Sequence, residues 1–378
     1  MLYLCTIMKH CFYILILFSL FSCKEKEKKE NKYLYTLELS EDKIFKLDSE
    51  TVQETQLIQL FTQNDSLYFS FSNAYDNSIV FYDFVSDSFV SKVKFEKEGQ
   101  NGVGNFTSYY YHTKDSIYIY HQWNEKIFLL NNQSMKYKDF DFKTQSFHSE
   151  TLSVPSPYPL TIAPMRKVEN YMVCTGMQYN EDSKKNEPST ILYNINTGEI
   201  KFANHFPDLY KNKQWGQVFA YRYACTTFYR NTMILSYGAD HNITVYNIEE
   251  DKSEEFNAGT KYFSKINPFN FKANREAAID HYMENLCYRN ILYDEYRNLY
   301  YRFAYLPYPS YNKDDKYLRR PFSVIIIDSE FNIVGETLLP EFEYMILQTF
   351  VSPDGLHIQI LSDDDDFMKF KTFKIAQF

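Results

Sequence analysis

At 378 residues the chain exceeds the roughly 250 to 300 at which one hydrophobic core usually splits, unless repeated units share the burial. Its 40 Lys and Arg stand against 49 Asp and Glu, a formal charge of −9, and no basic cluster is free of interleaved Glu. A nucleic-acid surface, which needs a basic patch to displace counterions, is therefore excluded. Ten glycines beside 35 Tyr and 33 Phe argue against helical bundles and doubly wound nucleotide folds and for half-buried β-surfaces.

The N-terminus reads as a targeting segment. Met8-Lys9-His10 is a short basic start, Cys11 to Phe21 is apolar, and Ser22-Cys23 closes the run. That stretch is too short to cross a bilayer, for which about 20 apolar residues are needed. Cys23 is followed by Lys24-Glu25-Lys26-Glu27-Lys28-Lys29-Glu30, a charged stretch with nothing to bury.

Leu20-Phe21-Ser22-Cys23 resembles the lipobox of bacterial lipoproteins, with a Phe21 bulkier than the usual occupant. The resemblance implies removal of residues 1–22 and a lipid on Cys23 that attaches the protein to a membrane. Residues 23–32 are then a tether and 33–378 the folded part. The charged stretch resembles a surface-export signal of Bacteroidota lipoproteins, which implies an outer-membrane lipoprotein on the periplasmic or cell-surface face. Three further cysteines, Cys174, Cys225 and Cys287, have no zinc spacing and allow at most one disulfide.

Past the tether, internal repetition decides the expected fold. Asp65-Ser66-Leu67-Tyr68-Phe69-Ser70-Phe71 returns as Asp115-Ser116-Ile117-Tyr118-Ile119-Tyr120. Each is followed by a second strand, at Ser78 to Asp83 and Lys126 to Asn131, and a third, at Ser88 to Phe95 and Met135 to Phe140. Another candidate precedes each trio, at Gln56 to Phe61 and Phe106 to His112. Short strands at this spacing form an all-β meander, and four strands in about fifty residues is one propeller blade.

Further copies are anchored near residues 170, 231, 298 and 355, with second strands ending at Asn194, Asn247, Asp328 and Ile375. The expectation is an all-β, six-bladed β-propeller of four-stranded antiparallel blades. Lys43-Ile44-Phe45-Lys46-Leu47 would supply the strand missing from the last blade and close the ring, hiding two sheet edges. Residues 273–285 interrupt the pattern with helix formers, which predicts a short inserted helix. Longer loops lie at Pro155 to Pro164, Asn180 to Pro188 and Leu306 to Arg320, where function usually resides.

The Asp-Ser-Leu/Ile-Tyr openings, the link Gly99-Gln100-Asn101-Gly102-Val103-Gly104-Asn105-Phe106, the stretch Tyr293 to Arg302 and Ser352-Pro353-Asp354-Gly355 carry a wider likeness. On these residues the chain resembles the TolB-like six-bladed propeller lipoproteins of Bacteroidota, a group dominated by families of unknown function. The resemblance covers the whole folded part and brings no catalytic motif with it.

Known chemistries find little footing. The glycine link precedes a strand instead of opening a helix, so it is no dinucleotide fingerprint and no nucleotide is expected. Asp363-Asp364-Asp365-Asp366 offers the oxygens calcium requires but lacks the spacing of a calcium loop, and a solvated hairpin turn accounts for it. No H-E-x-x-H or Gly-x-Ser-x-Gly is present, and no cofactor is expected. Carboxylates such as Asp240 and Glu295 could pair across the ring only by the chance any acidic chain offers.

Aromatic and polar residues on turns remain as ligand-binding candidates: Trp123, Trp215, Tyr158, Tyr308 and, on a strand, Arg302. Flat rings beside amides bury large areas at small entropic cost. The expected function is a non-catalytic envelope module that binds a protein, peptide or glycan. A propeller lyase or hydrolase acting on polysaccharide, or a structural subunit of an envelope complex, are the alternatives.

Overall fold

The strands are punctuated by residues that make turns cheap. Asn64 and Asp65 both adopt positive φ, at 50° and 61°, as a two-residue hairpin with the primed geometry requires. A second device recurs where a third strand turns into a fourth. Side-chain oxygens of Asn131, Asn194, Asn247 and Asp328 accept the backbone N–H two residues on, at 2.9–3.1 Å, and Asp83 accepts that of Ser86 at 2.8 Å. Each strand thus ends in an Asp or Asn that makes its own turn.

The computed structural model describes residues 33–143, 156–177, 187–211, 215, 219–269, 275–315, 318–340 and 344–377. Two N-terminal strands, β1 (Tyr35–Leu39) and β2 (Lys43–Lys46), come first. The first sheet is β3 (Ile58–Gln63), β4 (Ser66–Asn73), β5 (Ser78–Asp83) and β6 (Phe89–Lys94). The second is β7 (Ser108–Thr113), β8 (Ser116–His121), β9 (Lys126–Leu130) and β10 (Lys136–Asp141). The third has β11 (Ser156–Pro157), β12 (Arg166–Val168), β13 (Tyr171–Met177), β14 (Pro188–Asn194) and β15 (Ile200–His205), with β11 and β12 both on β13. The fourth is β16 (Cys225–Tyr229), β17 (Thr232–Ser236), β18 (Asn242–Asn247) and β19 (Lys252–Asn257).

Helix α1 (Arg275–Glu284) follows, within the span expected to be helical. Then come β20 (Cys287–Asp294), β21 (Leu299–Tyr305), β22 (Phe322–Ile327), β23 (Ile333–Leu339), β24 (Tyr344–Ser352), β25 (Gly355–Ile360) and β26 (Phe367–Gln377). These seven do not divide into separate sheets. With β1 and β2 they make one nine-stranded sheet in the order β20-β21-β22-β23-β1-β26-β25-β24, β2 lying on β26.

The expected six-bladed propeller is thereby corrected: the fold is propeller-like, with four blade-like sheets and a nine-stranded sheet that nearly closes into a barrel. Two features cause the difference. The strand beside the C-terminal half of β26 is β1, from Tyr35↔Gln377 to Leu39↔Phe373, while β2 covers the other half, from Lys43↔Phe370 to Lys46↔Phe367. The other edge of β1 then meets β23 in parallel at Tyr35↔Gly335, which only glycine permits, since a Cβ there would lie 2.1 Å from the Tyr35 carbonyl oxygen. The sheet's two ends return to each other, where the Asn290 amide on β20 donates to the Ile346 carbonyl and, at 2.9 Å, to Thr349 Oγ1 on β24.

Aromatic rings fill the gaps between sheets. Phe45 stacks on Phe69 at 4.3 Å, with Phe370 edge-on to both, so the N-terminal strand, the first sheet and the last strand share one cluster. Phe61 stacks on Tyr111 at 4.3 Å between the first and second sheets. The three cysteines are free and buried in these interiors, and burial pushes their thiols up.

Arg302 is, with Arg320, the largest fully buried side chain among the described residues, and it joins the fourth sheet to the nine-stranded one. Nε donates to Ser236 Oγ at 3.0 Å, Nη1 to the carbonyls of His241 and Ala258 at 2.7 and 3.0 Å, and Nη2 to those of Asp240 and Asn242 at 2.6 and 3.1 Å. All five guanidinium N–H groups are spent this way, with the Tyr288 ring 3.8 Å beneath. Because truncation would strand several acceptors, Arg302→Met is expected to lower unfolding free energy by more than about 3 kcal/mol in chemical denaturation. Arg302→Lys, lacking the planar fork, should recover little of it.

His357 gives the fold an acid-sensitive point. Its ring is buried between Ser352 Oγ at 2.7 Å and Thr372 Oγ1 at 3.0 Å, and desolvation, with the Lys43 and Arg297 charges, pulls its pKa down to about 3. The native ring stays neutral while the unfolded one takes a proton below about pH 6.5, so this stability is complete above that pH and is lost as pH falls toward 3. The slope is about 1.4 kcal/mol per pH unit. Between pH 7.5 and 5, His357→Gln should therefore lose about 2 kcal/mol less than the natural chain, read from denaturation curves at the two pH values.

Candidate functional site

A loop is inserted among the first strands of the sheets. Residues 160–163 make a tight turn, with Leu160 N and Ala163 N bonded to each other's carbonyls at 3.2 and 3.0 Å. Thr161 N and Oγ1 donate to the Gln56 carbonyl at 3.2 and 3.1 Å, and Thr161 Oγ1 accepts from Ile58 N at 2.9 Å. On the other side the Ile162 carbonyl accepts from Thr226 N at 2.8 Å. The turn thus ties the first sheet to the fourth, and Ile162 and Ala163 are buried against Tyr223 and Cys225, with Leu347 of β24 beside them.

Beside this plug lies a cavity of about 670 Å³ between the first sheet and the β24–β25 hairpin. One wall is the stretch Glu54-Thr55-Gln56, where Thr55 Oγ1 donates to the Ser72 carbonyl at 2.7 Å. The facing wall holds Met345, Gln348 and Gln359. The register of β24 slips between Met345 and Thr349, and the bulge turns Gln348 inward. Its Nε2 donates to the Thr55 carbonyl at 2.7 Å, while its buried Oε1 has no partner among the described residues. Gln359 Nε2 reaches the Gln53 carbonyl at 2.7 Å.

The third wall is the glycine link, and Asn77 holds it. Asn77 Nδ2 donates to the carbonyls of Phe95 and Gly104 at 3.0 and 2.9 Å, and its Oδ1 accepts from Phe106 N at 3.2 Å. Lys97, Asn105, Phe106 and Thr107 are thereby brought to the cavity. Backbone bonds from Val103 N to the Glu96 carbonyl and Gly104 N to the Lys97 carbonyl, at 2.9 and 3.1 Å, fold the link on itself. The cavity is lined by amides, hydroxyls, one aromatic ring, the aliphatic side chains of Ala74, Met345 and Leu361, one carboxylate and one ammonium, a mixed surface for largely neutral groups.

The chain belongs to the DUF4221 family. Residues 35–338 match the model of this domain of unknown function. A DUF4221 crystal structure from Bacteroides vulgatus is similar at a TM-score of 0.78 and 21% identity, over 92% of this chain and all of that one. A Bacteroides fragilis protein whose name calls it exported is similar at a TM-score of 0.56 and 10% identity, over 89% of this chain and 95% of that one. At these identities the likeness is one of fold. No curated protein matches the sequence. The unknown-function family expected from Bacteroidota agrees with these findings, which carry no TolB-like assignment.

In this DUF4221 member the aromatic candidates named from sequence stand apart from the cavity. Trp123 is 84% exposed on the β8–β9 turn. Trp215 is buried between Tyr210 and Tyr221, its Nε1 without a partner among the described residues, and Tyr308 packs against the same cluster. Tyr158 is half-buried in the plug segment, its carbonyl accepting from the Tyr223 hydroxyl. Arg302 has no donor left for a ligand. Cys23 lies outside the described residues.

The acidic candidates separate as well. Asp240 is buried beside the start of β20 and accepts from Asn242 N at 2.9 Å, whereas Glu295 is exposed past the strand's far end, about 20 Å away at the rise of a β-strand. Asp363–Asp366 form the exposed turn between β25 and β26, Asp364 accepting from Asp366 N at 3.0 Å and Asp365 from Gln53 at 3.2 Å. No cluster of His, Cys, Asp and Glu suited to a metal occurs among the described residues.

Sequence reasoning passed over Asn77 and Gln348. The available signals were the Asn that precedes Ser78 and the link that delivers Phe106. That link has little room to change: Gly104 has a φ of +71°, and a Cβ on it would come within 2.5 Å of the His121 ring. Gly104→Ala is therefore expected to cost about 2 kcal/mol by denaturation, from the left-handed backbone and the displaced ring together.

Proposed function

We propose that the protein is a non-catalytic binding module of the cell envelope, held to the outer membrane by a lipid on Cys23, and that the cavity beside the plug takes a neutral glycan segment. The observation that carries the ligand class is the lining. Gln348, Gln359 and Asn105 bring amide groups of both polarities to the cavity, and Phe106 offers an apolar face. Groups of that kind match the hydroxyls and C–H faces of a sugar ring, and a cavity of about 670 Å³ lies in the range of small-ligand sites.

Catalysis on the same glycan is disfavoured by the acids available. Glycoside hydrolysis ordinarily uses two carboxylates flanking one bond, and Glu54 is the sole carboxylate in the lining. The structural-subunit alternative has no observation of its own behind it.

The test is calorimetric titration of the protein with oligosaccharide fragments of envelope and dietary polysaccharides, with product analysis in parallel. A saturable fit is expected, weakened at least about tenfold by Asn105→Ala and by Phe106→Ala while the melting temperature of Asn105→Ala stays that of the natural chain. Turnover of a fragment, or binding indifferent to both substitutions, would overturn the reading.

A further inference from the structure

The chain enters the fold beside a group of exposed apolar side chains. The loop running from Gly259 to Pro268 is clamped to β23 by Glu336, whose Oε2 accepts from Lys261 N at 2.9 Å and whose Oε1 accepts from Thr260 Oγ1 at 2.5 Å. Leu34 N donates to the Val334 carbonyl at 2.7 Å on the same strand. Lys261 Nζ then lies 4.4 Å from the Tyr33 ring centre and 5.2 Å from that of Tyr262. Around this point Leu34, Tyr262, Phe263 and Leu338 are 45, 38, 41 and 49% exposed, and Lys261 and Lys265 stand beside them in solvent.

Two consecutive aromatic residues held open by a clamped loop are costly in water. Elsewhere in this chain Tyr and Phe are mostly interior. Tyr and Phe rings with adjoining Lys are the side chains that settle at the headgroup level of a bilayer, the rings in the interface and the ammonium groups on lipid phosphates.

We infer that this rim, formed by Leu34, Tyr262, Phe263 and Leu338 with Lys261 and Lys265, docks on an anionic phospholipid surface. The inference rests on the reading of Cys23 as the lipid-bearing residue, and the length of chain argues for the occupant. Nine residues separate Cys23 from Tyr33, so a lipid on Cys23 keeps the bilayer within about 35 Å of the patch even when the tether is fully extended. The diacyl and amide-linked chains that a lipobox implies make the attachment stable by themselves, so what a docked aromatic rim adds is the choice of which edge of the protein faces the lipid.

The two natural tryptophans make the experiment direct, since Trp215 is buried and Trp123 can be removed from an exposed turn. Full-length protein carrying Trp123→Phe, with or without Phe263→Trp, is bound to vesicles of three parts phosphatidylethanolamine to one of phosphatidylglycerol, with plain or brominated acyl chains. The Phe263→Trp reporter is expected to be quenched at least about threefold more than the Trp123→Phe parent on brominated vesicles, with a blue-shifted emission. Equal quenching on vesicle-bound protein would overturn the inference and leave the patch to a protein partner.

Mass spectrometry of Cys23 separates the two readings. If Cys23 carries no acyl group the anchor fails, and the patch is judged by sedimentation of the Cys23→Ser chain with the same vesicles. A loss of about threefold or more in bound fraction on adding Phe263→Ser and Leu338→Ser upholds it, and no loss overturns it.

Discussion

The architecture depends on a strand brought from the opposite end of the chain. β1 pairs with the C-terminal half of β26 and, with β2 on the other half, covers an edge that would otherwise present unpaired N–H and C=O groups to other molecules. At Gly335 it also touches β23, and this contact converts two groups of strands into one sheet of nine. The sheet of the last third is therefore complete only with β1, more than 240 residues earlier in the chain.

Buried polar side chains do between sheets what backbone ladders do within them. Arg302 gathers four carbonyls of the fourth sheet, and Gln59 exchanges two bonds with the Tyr111 backbone, at 2.7 and 2.9 Å, to join the first sheet to the second. Asn290 brings the two ends of the nine-stranded sheet together. Such groups satisfy backbone carbonyls at the seams, which favours packing sheet edges away from water, although the buried Oδ1 of Asn290 has no partner among the described residues. The same economy applies to the plug, where Thr161 and Ile162 bond to β3 on one side and β16 on the other. With Ile162 and Ala163 packed there, the open cavity lies between the first sheet and β24.

Much of the local structure was legible in the residues. The alternation from Asp65 to Phe71 and from Asp115 to Tyr120 marks β4 and β8, and the residues ending each third strand, Asp83, Asn131, Asn194, Asn247 and Asp328, are the ones whose side chains make the turns. The candidate site was not legible in this way. Trp123, Trp215, Tyr158 and Tyr308 were distinguished by residue type, yet their exposure depends on which sheet packs against them, and Arg302 read as a ligand contact is a seam. Gln348 faces the cavity because of a one-strand bulge, which leaves no compositional trace.

Sequence by itself determined the all-β character, the strand periods, the turn residues and the place of the inserted helix, because these follow from backbone preference and from neighbours within a few positions. The tertiary structure alone decided that the strands group as four sheets and a nine-stranded one. Pairing across some 300 residues, between Tyr35 and Gly335 or between Leu39 and Phe373, turns on whether a backbone can approach without a Cβ in the way and on which edge is left open when the chain ends meet. The same long-range contacts made a cavity out of Gln348, Phe106 and Thr55, residues that no local pattern connects.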